Sequence, residues 1–338
     1  MKTLVCVRPG LFEYKTGVKP QAAPDHSIIK IKKIGVCGTD LHAFEGTQPF
    51  FEYPRVLGHE LAGELVSIDN APGFQVGEAV TFVPYFSCGE CIACRNGKPN
   101  CCSKIKVCGV HQDGGMVEYL SVPSSSLIHG QGLTFDELAL VEPLSIGAHG
   151  IRRAGIVPGE FVLVAGVGPI GLAALVFGRE AGAKIIALDV DKNRLRFCKD
   201  TLKVDHTVNA LDKNIVKQLM DMTGGDMPTV VIDASGNLNA INNGFKYMAH
   251  GGRYVLIGLQ KDDIHFSHPE FHKREATLLS SRNATRDDFE YVIEQIKSKQ
   301  IDPKDFITTH VLFENVKAEF GRWLSPDAGV IKAMIEIS

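Results

Sequence analysis

The sequence predicts an α/β protein of two domains, one mostly β and one a doubly wound parallel sheet. Three observations carry this. Up to about residue 142, short strand patterns are punctuated by Gly and Pro; from about Phe161, short apolar strands alternate with helix-period segments; and a glycine-rich turn joins the first of those strands to its helix. With 338 residues the chain is long for one core, and it can bury enough surface for neither domain to need disulfides.

Taken in order, MKTLVCV reads as a strand, and its apolar run before Arg8 and Pro9 is too short for a signal peptide. HSIIKIKKIGV alternates apolar and polar at period two, and further strands are expected at 61–68, 78–82 and 117–122. FVLVA, KIIALD, TVVID and RYVLIG are the short apolar strands of the parallel sheet. DDFEYVIEQIKSK has helical spacing, while FITTHVLF and IKAMIEIS are strand-like again. The expected domains are therefore 1–143, with 287–338 returning to it, and 144–286.

Composition excludes some classes of function. A formal net charge of -3 gives no long-range field for DNA, RNA or anionic lipid. No apolar stretch approaches the roughly 20 residues that a membrane span needs. Nine cysteines, four of them inside fifteen residues, fit metal ligation in a reducing cytoplasm better than a disulfide framework.

The stretch GVCGTDLHAFEG followed by GHELAGEL offers Cys37 and the pair His59 and Glu60 as candidate ligands; the third ligand is expected far off at Glu142 in LVEPLS, which makes Cys37, His59 and Glu142 the preferred set and leaves Glu60 at or beside the metal. A soft thiolate, a borderline imidazole and hard carboxylates suit zinc, and a site that keeps a position open is catalytic. Taken alone, these residues are equally a buried Cys and a hydrogen-bonded His–Glu pair. In CGECIACRNGKPNCC the signal is stronger: Cys88, Cys91 and Cys94 recur every three residues, with Cys102 eight further on. Four thiolates close a structural zinc site, and Cys101 is the alternative fourth ligand. Cys6, Cys108 and Cys198 read as packing residues.

GVGPIG follows FVLVA and opens a helix, with Pro169 suited to its first turn. Gly166, Gly168 and Gly171, with Pro169 and Ile170 between them, would let a pyrophosphate approach the helix N-terminus. Asp189, eighteen residues after Gly171, ends the next strand and is placed to accept hydrogen bonds from a ribose, which favours NAD over NADP; Lys192 and Arg194 lie close by and weaken that preference. Ser235 in DASGN, Ile257 and Leu259 in LIGL, and Ser281 with Arg282 are further cofactor candidates, or small-residue turns.

Together GVCGTDLH, GHELAGEL, the four-cysteine lobe, VEPLS, GVGPIG and the Asp189 strand end resemble the zinc-dependent medium-chain dehydrogenase family, in its order and over essentially the whole chain. Glu142, where liver-type alcohol dehydrogenases have a second Cys, is similar to the sorbitol and L-threonine dehydrogenase branch. TQPFFEYPRVLGHE, GVHQDGG and PEFHKREATLLSSRNAT resemble bacterial L-galactonate 5-dehydrogenases as a group.

The resemblance implies a GroES-like catalytic domain built from both termini, a Rossmann domain, a cleft between them, two zincs per subunit, NAD, and a homotetramer or homodimer. It also implies a cytoplasmic enzyme oxidising a secondary alcohol of a sugar acid or polyol. Thr39 and His42 would relay the proton, with Glu60 at or beside the metal and Asp40 orienting His59; otherwise Thr39 or Asp40 is a helix cap and His42 a surface imidazole. Gln48, His111, Arg282 and Asn283 are candidate substrate contacts, with Phe50 and Phe51 as an apolar wall or plain packing. Rival readings are L-threonine 3-dehydrogenase, a non-enzymatic nucleotide-binding protein of the same fold, and a redox sensor using Cys101 and Cys102.

Overall fold

The computed structural model describes residues 1–337 apart from Phe50, Pro326 and Asp327. The chain divides into two compact units, Met1–Pro143 with Ala284–Ser338, and Leu144–Asn283.

The first unit is organised on the strand His26–Gly35. Its alternation buries Ile29, Ile31 and Ile34 in a core with Leu4, Phe12, Leu61, Phe82, Phe313 and Phe320. It pairs antiparallel with Glu60–Ser67, with Tyr119–Pro123 along its N-terminal half, and with Lys332–Glu336 at its end. Ile307–Leu312 adds in parallel to Lys332–Glu336, so the two C-terminal strands lie in the same sheet as the N-terminal ones. The helix Arg286–Lys297 starts at a capping box in which Thr285 N–H donates to Asp288 Oδ2 at 2.7 Å, and it buries Phe289, Val292, Ile293 and Ile296.

The second unit is a six-stranded sheet in the order His206–Asn209, Lys184–Asp189, Phe161–Ala165, Val230–Asp233, Arg253–Leu256, Thr277–Ser280. Every neighbouring pair is parallel. Numbered along the chain, that order is 3-2-1-4-5-6, the doubly wound arrangement. The four strands expected from sequence are its four central ones, buried nearly throughout; the two edge strands go beyond that expectation. The order in which strands are added reverses between the parallel neighbours Phe161–Ala165 and Val230–Asp233, and ligands of such sheets bind outside the carboxyl ends there.

Candidate functional site

Two backbone segments carry the first cluster. Cys37 is the N-cap of the helix Gly38–Glu45, and His59 and Glu60 enter the strand Glu60–Ser67. Asp40, almost fully buried, ties them together: Oδ2 accepts from Cys37 N–H at 3.0 Å and Oδ1 from Gly58 N–H at 3.1 Å. Its role is thus wider than a capping residue or a partner of His59, whose Nδ1 stands 3.8 Å from Oδ1, beyond hydrogen-bond reach.

The ligand atoms of Cys37, His59 and Glu60 all lie within 4.8 Å of one another. Glu142, in the first turn of the helix Val141–Ala154, falls outside that trio. Its Oε1 accepts from the hydroxyl of Tyr85, a buried partner that sequence reasoning missed because a Tyr in a two-residue strand carries no motif. The geometry therefore favours Glu60 over Glu142 as the carboxylate beside Cys37 and His59, the reverse of the weighting that sequence alone suggests.

The chemistry of this cluster fits a cation. Burial alone would hold the His59 imidazole neutral, yet the Asp40 carboxylate and Cys37 thiol beside it push its pKa well above the usual value. Burial lifts Glu142 to about 7, with the Glu60 carboxylate adding to the lift against His59 and Tyr85. His59 Nδ1 is buried without a hydrogen-bond partner. A buried group of anionic donors that draws in protons would be relieved by a metal ion, and Cys, His and Glu donors suit zinc.

The second cluster is Cys88, Cys91, Cys94 and Cys102, whose sulfurs also lie within 4.8 Å of one another. Cys91 and Cys94 are 3.5 Å apart and Cys88 and Cys102 are 3.4 Å apart, too far for disulfides and close to the roughly 3.8 Å edge of a tetrahedron with metal–sulfur bonds of about 2.3 Å. Backbone N–H groups of Cys88 and Lys104 point at Cys102 Sγ, each at 3.3 Å. Amides of Cys94 and Ser103 draw the Cys91 thiol down to about 5, while burial and the neighbouring thiols push Cys94 up to about 11. Cys101 is exposed and outside the cluster; Cys6, Cys108 and Cys198 are buried.

In the second unit, Gly168 is the N-cap and Pro169 the first residue of the helix Pro169–Glu180. A Cβ on Gly171 would stand 1.9 Å from the Gly166 carbonyl oxygen, and one on Gly166, at φ +86°, 2.6 Å from Ser235 Cα. These glycines allow the turn to fold tightly beside the Ser235 loop. At Gly168 the nearest atom to such a Cβ is Arg194 Nη1 at 3.8 Å, so this face of the turn is open for a pyrophosphate and has a guanidinium beside it. Ile170 opens the same helix half-buried. Asp189, buried, accepts from Val167 N–H at 2.7 Å and Asp191 N–H at 2.8 Å, so it also pins the glycine turn. Ser235 Oγ donates to Asp233 Oδ1 at 2.6 Å, which fixes its loop. Ile257 packs over Gly150, Leu259 is exposed, and Ser281 is buried with its hydroxyl unpartnered.

Thr39 and His42 lie one turn apart on the helix Gly38–Glu45, with His42 Nδ1 3.2 Å from Thr47 Oγ1. Gln48 is half-buried just beyond that helix, and Phe51 packs against Tyr53; Phe50 lies outside the described residues. His111, exposed, accepts from Val107 N–H through Nδ1 at 3.1 Å. Arg282, exposed, and Asn283, at φ +53°, end the second unit.

A thiolate–imidazole–carboxylate cluster suited to zinc and a doubly wound sheet with a glycine turn at its switch point together define a dehydrogenase class that works with zinc and a nicotinamide nucleotide. A family model described as the alcohol dehydrogenase GroES-like domain matches residues 23–131, and one described as zinc-binding dehydrogenase matches residues 169–298. L-galactonate-5-dehydrogenase of Escherichia coli (strain K12) is 40% identical over 336 residues, covering 99% of this chain and 98% of its own. Sorbitol dehydrogenase of Halalkalibacterium halodurans is 32% identical, with 91% of this chain and 92% of its own covered. Among solved structures, an alcohol dehydrogenase of E. coli CFT073 complexed with NADH has TM-score 0.92 and 27% identity, over 100% of this chain and 99% of its own. A zinc-binding dehydrogenase of Sinorhizobium meliloti 1021 bound to NADP has TM-score 0.91 and 25% identity, over 99% of each chain. The chain belongs to the zinc-dependent medium-chain dehydrogenase family. It is a zinc alcohol or polyol dehydrogenase acting on a small molecule, and no helix among the described residues is long and apolar enough to cross a membrane.

Proposed function

We propose that this enzyme oxidises a secondary alcohol of a sugar acid, with an L-galactonate-like aldonate the first candidate, and passes the hydride to NAD. The observation that carries the substrate class is the 40% identity to L-galactonate-5-dehydrogenase across 99% of the chain. Asp189 supports NAD, because a carboxylate at that strand end accepts from a 2′-hydroxyl and repels a 2′-phosphate.

Cys37, His59 and Glu60 would hold the catalytic zinc, and the four cysteines of the lobe a structural one. When bound, the catalytic zinc acidifies an alcohol hydroxyl and the nicotinamide accepts hydride. The chain's own residues do the rest. Asp40 holds both ligand-bearing segments by their backbone amides. Tyr85 holds Glu142 by one carboxylate oxygen, which leaves the other to bind a water or a substrate hydroxyl. Thr39 hands on the alcohol proton without itself becoming charged, and His42 releases it to solvent. Thr47 Oγ1 donates to Glu45 Oε2 at 2.9 Å, so it accepts from His42 Nδ1–H and leaves Nε2 as the basic nitrogen.

Gln48, His111, Arg282 and Asn283 are the proposed substrate contacts, with Arg282 suited to grip a carboxylate by two parallel hydrogen bonds. The deciding experiment is a panel of aldonates, polyols, L-threonine and simple alcohols, each assayed with NAD and NADP. Turnover confined to aldonates with NAD supports this reading; an L-threonine or polyol preference overturns the substrate class, and equal use of NADP overturns the cofactor.

A further inference from the structure

The fully buried lysine of this protein stands at the metal cluster. Lys332 is 1% exposed, and no other Lys or Arg among the described residues is buried. All three of its ammonium protons are taken, by Glu60 Oε1 at 2.6 Å, Glu60 Oε2 at 2.7 Å and the Val36 carbonyl at 3.1 Å. Glu60 is itself fully buried. Such a pair is poor value as stability, since two charges must be stripped of water to make it. Its placement is better explained by what it holds.

The sheet brings the pair together across an intervening strand. Gly35 pairs with Glu60 on one side and with Met334 on the other. Continuing that antiparallel register, 35 with 334 and 36 with 333, sets Lys332 opposite Cys37; Val36 N–H donates to the Ala333 carbonyl at 3.0 Å, as the register requires. Glu60 therefore reaches Lys332 over the backbone at Gly35. A Cβ there would stand 2.1 Å from Glu60 Oε2 and 3.0 Å from Glu60 Cβ, so the crossing exists because position 35 has no side chain.

We propose that Lys332 is a positioning residue for the catalytic metal: it fixes the Glu60 carboxylate beside Cys37 and His59 and offsets its charge, with Gly35 providing the passage. This rests on Cys37, His59 and Glu60 being the catalytic zinc site. Lys332 acts through Glu60, the only side chain among the described residues that its ammonium hydrogen-bonds. Its effect is to stop Glu60 from turning away from the cluster, and to keep three anionic donors, Cys37, Glu60 and Glu142, from repelling one another around a dication.

The test is zinc retention, read without turnover. Zinc-loaded wild type, Cys37→Ser, Lys332→Met, Lys332→Arg and Gly35→Ala are each challenged with a chelator, and release from the two sites is followed by a metal-responsive dye alongside thermal melting. In wild type, the phase that Cys37→Ser abolishes belongs to the catalytic site; if Cys37→Ser removes no zinc, the metal-site reading itself fails. Lys332→Met and Gly35→Ala should each weaken catalytic-site zinc by about 10- to 100-fold and leave release from the four-cysteine site unchanged. Lys332→Arg should restore most of the retention, because a guanidinium also binds a carboxylate through two hydrogen bonds. Gly35→Ala tests the passage alone, because its Cβ would crowd Glu60 directly. Lys332→Gln, challenged in the same way, keeps a donor without the charge; it tests the lysine even where Lys332→Met does not fold, and wild-type retention in it overturns the charge-offsetting role. Wild-type retention in Gly35→Ala or Lys332→Met overturns the proposal, as does loss in Lys332→Arg equal to that in Lys332→Met.

Discussion

Replacing Asp189 separates two jobs that its geometry combines. The carboxylate accepts from Val167 N–H at 2.7 Å and from Asp191 N–H at 2.8 Å, and its remaining lone pairs are the ones proposed for the ribose. Val167 is fully buried, so Asp189→Ala leaves its amide without a partner. An orphaned buried donor costs about 1–3 kcal/mol, and that loss appears in urea melts whether or not cofactor is present. A hydrogen bond from ribose to a charged acceptor contributes about 1.5–3 kcal/mol, so NAD should bind about 10- to 150-fold more weakly. NADP should lose less, because the repulsion of its 2′-phosphate goes too. Asp189→Asn restores an acceptor for Val167, so it should recover most of the stability while still shifting preference toward NADP. Calorimetric titration with each nucleotide, paired with the melts, measures both effects. An unchanged ratio of NAD to NADP affinity in Asp189→Ala would refute the ribose contact, and unchanged stability would refute the pinning of the glycine turn.

Other outcomes follow from the same geometry. Cys91→Ser should lower the zinc content by one ion per chain, read by elemental analysis, while nucleotide binding stays at the wild-type level. Tyr85→Phe removes the hydroxyl held by Glu142 and should reduce kcat/KM by about 10- to 100-fold, checked by steady-state kinetics with zinc content confirmed. Glu160 tests the second unit by pH: burial alone would raise its pKa, but Val157 N–H at 2.8 Å and Arg253 at 2.6 Å outweigh it and hold the carboxyl below the ordinary value. With the folded pKa depressed, its stabilisation is full above the unfolded value near 4.3 and is lost as pH falls through the folded pKa. Glu160→Gln should therefore cost about 1–3 kcal/mol at neutral pH and nothing in strong acid, measured by chemical denaturation across that range.

Much of this is readable in the sequence because the chemistry there is local. Four cysteines spaced for one metal, and a strand, glycine turn, helix and strand-end acid in series, need no knowledge of long-range packing. The central parallel strands were legible because both of their faces are buried and they read as apolar runs. The edge strands His206–Asn209 and Thr277–Ser280 were not: the first fully buries Val208 alone, and the second is mostly exposed, so neither carries a pattern. Lys332 and Tyr85 were missed for a different reason. IKAMIEIS is an ordinary strand, and only the register that sets it beside His26–Gly35 shows that its lysine meets Glu60, 272 residues away. The order of preference between Glu60 and Glu142 likewise depends on which carboxylate shares the cluster of Cys37 and His59, and no spacing encodes that.

The most direct test of the central claim joins metal, cofactor and turnover in one comparison of wild type with Cys37→Ala. Both proteins are assayed for zinc per chain, for NAD affinity, and for NADH formation from an aldonate. The account predicts two zincs and turnover in wild type, and in Cys37→Ala one zinc, no turnover and near-normal NAD affinity. Turnover persisting in Cys37→Ala, or zinc content unchanged by it, would contradict a catalytic zinc held by Cys37, His59 and Glu60.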